Sequence, residues 1–206
     1  TRRCWNMFQL PESVESACNV GCCGIDGCVS TLVGASLVNP DRLCYVVVGD
    51  LTFFYDLNSL GNHHIGTNLR VMLVNNGRGT EFRLGIHHCN VFGDDADKYM
   101  AAAGHFGNKS PLLVKHYAED LGFHYLSATT KEEFMTALSN FTNPQLSDHS
   151  MILEVFTDSK DESEALYLMS HIQSDAKGMV RSKLKDAVRN VAGEKGINAI
   201  KKILKK

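Results

Sequence analysis

No apolar run reaches the roughly 18 residues at which a stretch reads as a transmembrane helix, so no membrane span is expected. The opening residues, Thr1-Arg2-Arg3-Cys4-Trp5-Asn6, hold no long apolar stretch and do not read as a secretory signal. No Gly-x-Gly-x-x-Gly follows an apolar run and no Gly-x-x-x-x-Gly-Lys-Ser/Thr loop occurs, which discounts an ordinary doubly wound nucleotide-binding domain. Internal repeats and low-complexity stretches are absent. Neither sign of charge dominates: 21 Lys and Arg stand against 23 Asp and Glu, a net charge of −2 over 206 residues. The balance conceals a basic end, because Lys177 to Lys206 carries about +8 and the remainder about −10. The bulk of the chain has no nucleic-acid footprint, and no nucleic-acid partner is expected. The seven cysteines are an odd number, which argues against a secreted disulfide framework and for reduced thiols in a cytoplasmic protein. The chain starts at Thr1 rather than Met, as a processed or truncated piece of a longer protein would.

What is present is ordinary globular composition, 44% apolar and 21% charged, with enough length for a core of normal size. Short β-branched runs alternate with helical patterns. Cys44-Tyr45-Val46-Val47-Val48 ends in Gly49-Asp50, Leu69-Arg70-Val71-Met72-Leu73-Val74 ends in Asn75-Asn76-Gly77, and Met151-Ile152-Leu153-Glu154-Val155-Phe156 is a third run. Parallel strands covered on both faces read this way. Helices are expected over 26–38, 53–60, 111–121 and 131–140, the last with Thr129 or Thr130 as N-cap and Glu132 or Glu133 in its first turn. Alternating strands and helices predict a doubly wound α/β fold with a mostly parallel sheet and helices on both faces. Further helices are expected over 163–173, 179–191 and 197–204. The domain division is 1–160 for the α/β domain and 161–206 for a C-terminal helical appendage. The basic last helix, with Ile197, Ile200, Ile203 and Leu204 on one stripe, is read as packing against protein.

In open α/β sheets ligands bind beyond the carboxyl ends of strands. Two strands here end in hard oxygen donors, Asp50 and then Asn75-Asn76, and the 26 positions between Asp50 and Asn76 are about one strand–helix–strand unit. A carboxylate, an amide oxygen and nearby backbone carbonyls suit Mg²⁺, which commonly takes phosphate oxygens as well. Gly49 and Gly77 would let backbone approach a bulky ligand. Taken singly, Asp50 and Asn76 read as turn residues.

Gly49-Asp50-Leu51 followed by Asn75-Asn76 resembles the Gly-Asp-Gly…Asn-Asn motif of thiamine-diphosphate (ThDP) enzymes, in the C-terminal domain that binds diphosphate and Mg²⁺. Leu51 in the third position, the continuation Thr52-Phe53-Phe54-Tyr55-Asp56-Leu57-Asn58, and Gly24-Ile25-Asp26-Gly27 with Ser30-Thr31 look like the menaquinone-pathway 2-succinyl-5-enolpyruvyl-6-hydroxy-3-cyclohexene-1-carboxylate synthase. The resemblance covers roughly residues 19–157. It implies that Asp50 and Asn76 hold Mg²⁺ by their side chains and Arg78 by its carbonyl. It implies cofactor contacts from Gly24, Gly49, Leu51, Thr52 and Gly79, with Ile25 beneath the cofactor, keeping its two rings in a bent conformation. Glu81 and Phe82 would lie beside cofactor and substrate.

Two departures shape the expectation. Where the synthase has Asn-Arg-Gly, this chain has Asn19-Val20-Gly21, and Val20 cannot hold a substrate carboxylate. The expected activity is therefore a related ThDP-dependent decarboxylase or carboligase (a lyase or transferase) acting on a 2-oxo acid. The catalytic glutamate of such enzymes belongs to a pyrimidine-binding domain, for which there is no room before Gly49. The expected partner is that domain, on an upstream part or a separate chain, in a homo-oligomer. The rival reading is a non-catalytic subunit or scaffold module of a ThDP-enzyme complex, against which the two metal ligands argue.

Cys18, Cys22, Cys23 and Cys28 fit zinc spacing only loosely and are read as small buried side chains. His63-His64 are placed in the loop between helix and strand and His87-His88 in a surface or packing role, with proton transfer at the site as the sharper alternative, while the sharper reading of His105 is a loop, Gly104-His105-Phe106-Gly107, that closes over substrate.

Overall fold

The structure, a computed structural model, describes residues 5, 8–18, 24–83, 87–99, 110–145 and 147–171. Val20, Cys22, Cys23, His105 and the expected helices at 179–191 and 197–204 lie outside them. Four described strands form one parallel sheet in the order β1-β2-β4-β3: β1 (Cys44–Gly49), β2 (Leu69–Asn75), β3 (His124–Ala128) and β4 (Met151–Phe156). The helices are α1 (Cys28–Val38), α2 (Asp50–Tyr55), α3 (Ala96–Tyr99), α4 (Leu113–Asp120), α5 (Lys131–Phe141) and α6 (Ser159–His171). Turns of 3₁₀ helix cover Leu57–Gly61, Thr80–Arg83 and His88–Asp95.

Side-chain alternation along the strands builds two cores. Leu69, Val71 and Leu73 of β2 and Ile152 of β4 face Val29 and Val33 of α1 and Val114 and Ala118 of α4. Met151 and Leu153 of β4 face Ala137 and Phe141 of α5 on the other side of the sheet. Burying each large apolar side chain contributes about 1.5–3 kcal/mol. From β2 the chain passes α4 on the first face to reach β3. It returns along α5 on the opposite face to lay β4 between β2 and β3. Reversing both direction and face keeps each parallel crossover right-handed. The result is the doubly wound α/β fold that the alternating pattern predicts.

Three details differ from the pattern. β3 was not anticipated: His124-Tyr125-Leu126-Ser127-Ala128 is short and mixed in polarity, with His124 and Ser127 exposed while Tyr125 packs toward one core and Leu126 toward the other. α2 begins at Asp50, not at 53, since an acid in the first turn complements the helix dipole, and it gives way to a 3₁₀ turn rather than running to 60. α6 begins at Ser159, not at 163, because the Asp158 carboxylate accepts from the Lys160 and Asp161 amides at 2.8 and 3.2 Å. No helix among the described residues is long and apolar enough to cross a membrane.

Polar clamps hold the elements in register. Buried Asn68, just before β2, donates from Nδ2 to the carbonyls of Ser36, Asn39 and Arg42 at 3.0–3.1 Å, which closes the end of α1. The start of α1 has no side-chain cap of its own; instead Asp56 accepts from the Ser30 amide at 2.6 Å and its hydroxyl at 3.0 Å. α5 carries a capping box between Thr130 and Glu133, as its sequence predicts. These clamps rank by burial. Thr130→Ala, at an exposed cap, should lower unfolding free energy by about 1 kcal/mol. Asn68→Ala, which removes a buried donor from the Ser36 carbonyl and two part-buried bonds, should lower it by about 2 kcal/mol or more. Urea denaturation of the two variants checks the order.

Candidate functional site at the carboxyl edge of the sheet

The strand register decides which residues meet. Gly49 pairs with Val74 and Asn75 with Phe156, so Asp50, Asn76 and Thr157 each lie just past the carboxyl ends of three neighbouring strands. Asp50 is 2% exposed, and its Oδ1 accepts from the Leu51 amide at 2.9 Å. Asn75 and Asn76 form consecutive turns on their own side chains. The Gly77 amide donates to Asn75 Oδ1 at 3.1 Å and the Arg78 amide to Asn76 Oδ1 at 3.0 Å. Gly77 has φ of 77°, a left-handed conformation that a turn this tight reserves for glycine. The Arg78 carbonyl accepts from the Thr80 amide at 3.0 Å.

Beneath this edge is a polar network that the sequence reading missed. Glu154, 1% exposed in the middle of β4, accepts from Asn75 Nδ2 at 2.7 Å and from the Tyr125 hydroxyl at 2.7 Å. Burial, reinforced by the nearby Asp50 carboxylate, pushes the Glu154 carboxyl above its ordinary range, against the opposing pull of its two hydrogen bonds. Burial and Glu154 together raise the Tyr125 phenol. Asn76 Nδ2 donates to Thr80 Oγ1 at 2.7 Å and to Glu162 Oε2 at 2.8 Å. The one signal in the sequence was an acid inside the apolar run of β4.

Gly49, Asp50, Leu51, Thr52, Asn76, Arg78 and Gly79 therefore share one edge. Gly24 and Ile25 lie on a different segment, just ahead of α1, whose first turn is tied to Asp56 after α2. Ile25 is 38% exposed, not the core residue its chemistry alone would make it. Gly49 has φ of −78°, which any residue adopts, and a Cβ built on it meets nothing within 4 Å. The fold itself thus sets no demand for glycine there, and open space faces it.

The other candidates settle elsewhere. His63 and His64 stack with ring centroids 3.8 Å apart in the loop before β2, as expected, and line a groove of about 570 Å³ with α1. His87 Nδ1 accepts from the Cys89 amide at 3.1 Å, capping a 3₁₀ turn. Glu81 lies in the 3₁₀ turn Thr80–Arg83 with Phe82. Cys18 is exposed, contrary to the expectation of burial, because it sits in an extended segment ahead of α1 rather than inside an element. No group of three or more His, Cys, Asp or Glu side chains suited to a metal occurs among the described residues.

An open parallel α/β sheet with a polar cluster at its carboxyl edge defines a ligand-binding class, not a reaction. Curated relatives narrow the class. The chain is 35% identical over 160 residues to a 2-succinyl-5-enolpyruvyl-6-hydroxy-3-cyclohexene-1-carboxylate synthase of Bacteroides fragilis, covering 78% of this chain and 27% of that protein. Synthases of the same name from Phocaeicola vulgatus and Christiangramia forsetii are each 35% identical, over 169 and 166 residues, covering 81% of this chain and 28% and 27% of theirs. The chain is thus a relative of part of this synthase family, and spans about a quarter of the length of the relatives it matches. No protein-family model matches it.

The buried Glu154 gives stability a pH signature. With its pKa raised, the folded protein keeps a proton that the unfolded chain has already released. Stability should therefore fall as pH rises from the ordinary carboxylate pKa to the raised one. Glu154→Gln can keep both hydrogen bonds and should flatten that fall. Denaturant titration of the metal-free protein across the acid-to-neutral range reads it; equal slopes in the two proteins would remove Glu154 as the source.

Proposed function

We propose that the chain is the diphosphate- and Mg²⁺-binding half of a ThDP-dependent enzyme, a decarboxylase or carboligase acting on a 2-oxo acid. The observation that carries the reading is the meeting of Asp50 with the Asn76–Arg78 turn at one sheet edge, next to the open space at Gly49. The donor set fits: one carboxylate, one carboxamide oxygen and one backbone carbonyl are the hard ligands Mg²⁺ prefers, and too few to complete its octahedron without phosphate oxygens or water.

In this reading Asp50, Asn76 and the Arg78 carbonyl hold the metal. Leu51 and Thr52 contact the diphosphate, and Gly49 and Gly79 leave room for it. Ile25, with Gly24 beside it, offers its exposed side chain as the apolar support for the rings. When bound, ThDP supplies the carbanion chemistry, while the protein contributes binding and orientation. Residues 1–160 form the cofactor domain and 161–206 the helical appendage. A pyrimidine-binding domain, from the same protein or another subunit of a homo-oligomer, supplies the glutamate. Val20, in place of the arginine of the synthases, favours a substrate other than theirs. A cytoplasmic setting follows from the reduced cysteines.

The test is calorimetric titration of ThDP, with and without Mg²⁺, into the chain joined by its pyrimidine-binding part. Binding should require Mg²⁺. Asp50→Ala should weaken it by more than about 100-fold, beyond the range typical of losing a group that merely supports a metal ligand. Binding that is indifferent to both Mg²⁺ and Asp50, or absent altogether, would sink the reading.

A further inference from the structure

We infer that Glu162, in the first turn of α6, is a positioning residue for the metal site, so that docking of α6 and metal binding are linked. The inference rests on the proposed role of Asn76 and extends it to a segment assigned to the appendage by sequence.

The case is a question of which way one carboxamide points. Asn76 Nδ2 spends both its hydrogens, on Thr80 Oγ1 at 2.7 Å and Glu162 Oε2 at 2.8 Å. Its Oδ1 accepts from the Arg78 amide at 3.0 Å and has one lone pair left for a cation. Rotating the carboxamide by half a turn would set Nδ2 against the Arg78 N–H and Oδ1 against its other partners. The Thr80 hydroxyl could adapt, because it can donate or accept. An ionised carboxylate only accepts, so Glu162 is the partner that forbids the rotated state. Its charge also polarises the carboxamide and makes Oδ1 a stronger donor to a metal, as outer partners of metal ligands do.

Glu162 is itself held in place. Its Oε1 accepts from the Thr157 hydroxyl, and its amide donates to the Asp158 carbonyl at 3.0 Å. Thr157 in turn donates its amide to the Asn75 carbonyl at 3.0 Å, extending the sheet by one bond. Asp158 caps α6 through the Lys160 and Asp161 amides. The last strand, the helix cap and the ligand turn thus form one hydrogen-bonded unit. Linkage is reciprocal: if α6 holds Asn76 in its metal-binding state, bound metal must hold α6.

The experiment uses the chain with its pyrimidine-binding part and measures the Mg²⁺ concentration that half-saturates ThDP binding. Glu162→Ala should raise it about 10- to 100-fold. Glu162→Gln, which can still present an oxygen to Asn76 but lacks the charge, should raise it by a smaller factor. Hydrogen exchange gives a second readout: Mg²⁺ with ThDP should slow the amides of α6 in the parent protein and not in Glu162→Ala. Asp50→Ala runs beside them. If Asp50→Ala changes the Mg²⁺ dependence while both Glu162 variants match the parent, the inference falls and the function stands. If Asp50→Ala changes nothing, the function falls first. Should Glu162→Ala fail to fold, Glu162→Gln decides, and a parent-like Mg²⁺ dependence in it overturns the inference.

Discussion

Parallel pairing ends β1, β2 and β4 at a common edge, and the residues that follow must turn the chain without a ladder partner to satisfy their amides. Each turn meets that demand with its own side chain. Asp50 takes the Leu51 amide, Asn75 that of Gly77, Asn76 that of Arg78, and Asp158 those of Lys160 and Asp161. The turn reading of these residues and the ligand reading are therefore not rivals. A carboxylate has about four acceptor sites and a carboxamide oxygen two, so a side chain of either kind can serve a turn and a ligand at once. What separates a plain turn from a site is whether such side chains face open space, and a Cβ built on Gly49, beside Asp50, meets nothing within 4 Å.

The same edge gathers acids. Asp50 and Glu154 are both nearly inaccessible, and Glu162 reaches in from α6. A buried carboxylate survives only by hydrogen bonding, by pairing, or by keeping its proton. Glu154 combines two of these, with Asn75 and Tyr125 as donors and a pKa driven upward. Its position in a central strand means it cannot move toward solvent, so it fixes Asn75 from below while Glu162 fixes Asn76 from the side. Adjacent asparagines are thus oriented by different strands and helices, and the turn between them has little freedom of its own.

What was legible in the sequence had short range or a distinctive pattern. The capping box at Thr130 and Glu133 spans one helical turn, the β-branched runs of β1 and β2 mark strands of the sheet, and Gly49-Asp50-Leu51 with Asn75-Asn76 carried the likeness to the synthases. What was illegible depends on long-range contact. Glu154 meets Asn75 across 79 positions and Glu162 meets Asn76 across 86, and nothing in either local segment announces the partner. Asp56 reads locally as an ordinary polar residue, yet it caps the start of α1 across 26 positions. The strand β3 is short and carries exposed His124 and Ser127, so no apolar run marks it. The start of α6 was misplaced because its cap, Asp158, reads equally well as loop.

Glu162 also bears on where the functional unit ends. Division by composition puts the break after 160, where the strand and helix alternation stops. Hydrogen bonds cross that division, since α6 starts from the Thr157-Asp158 cap and returns a carboxylate to the turn after β2. Here the interaction that crosses decides the orientation of a proposed ligand, so displacing the first turn of α6 would release Asn76 even with every residue of the sheet in place. The sheet brings the donors to one edge, and the helix that follows it determines which atom of Asn76 they present.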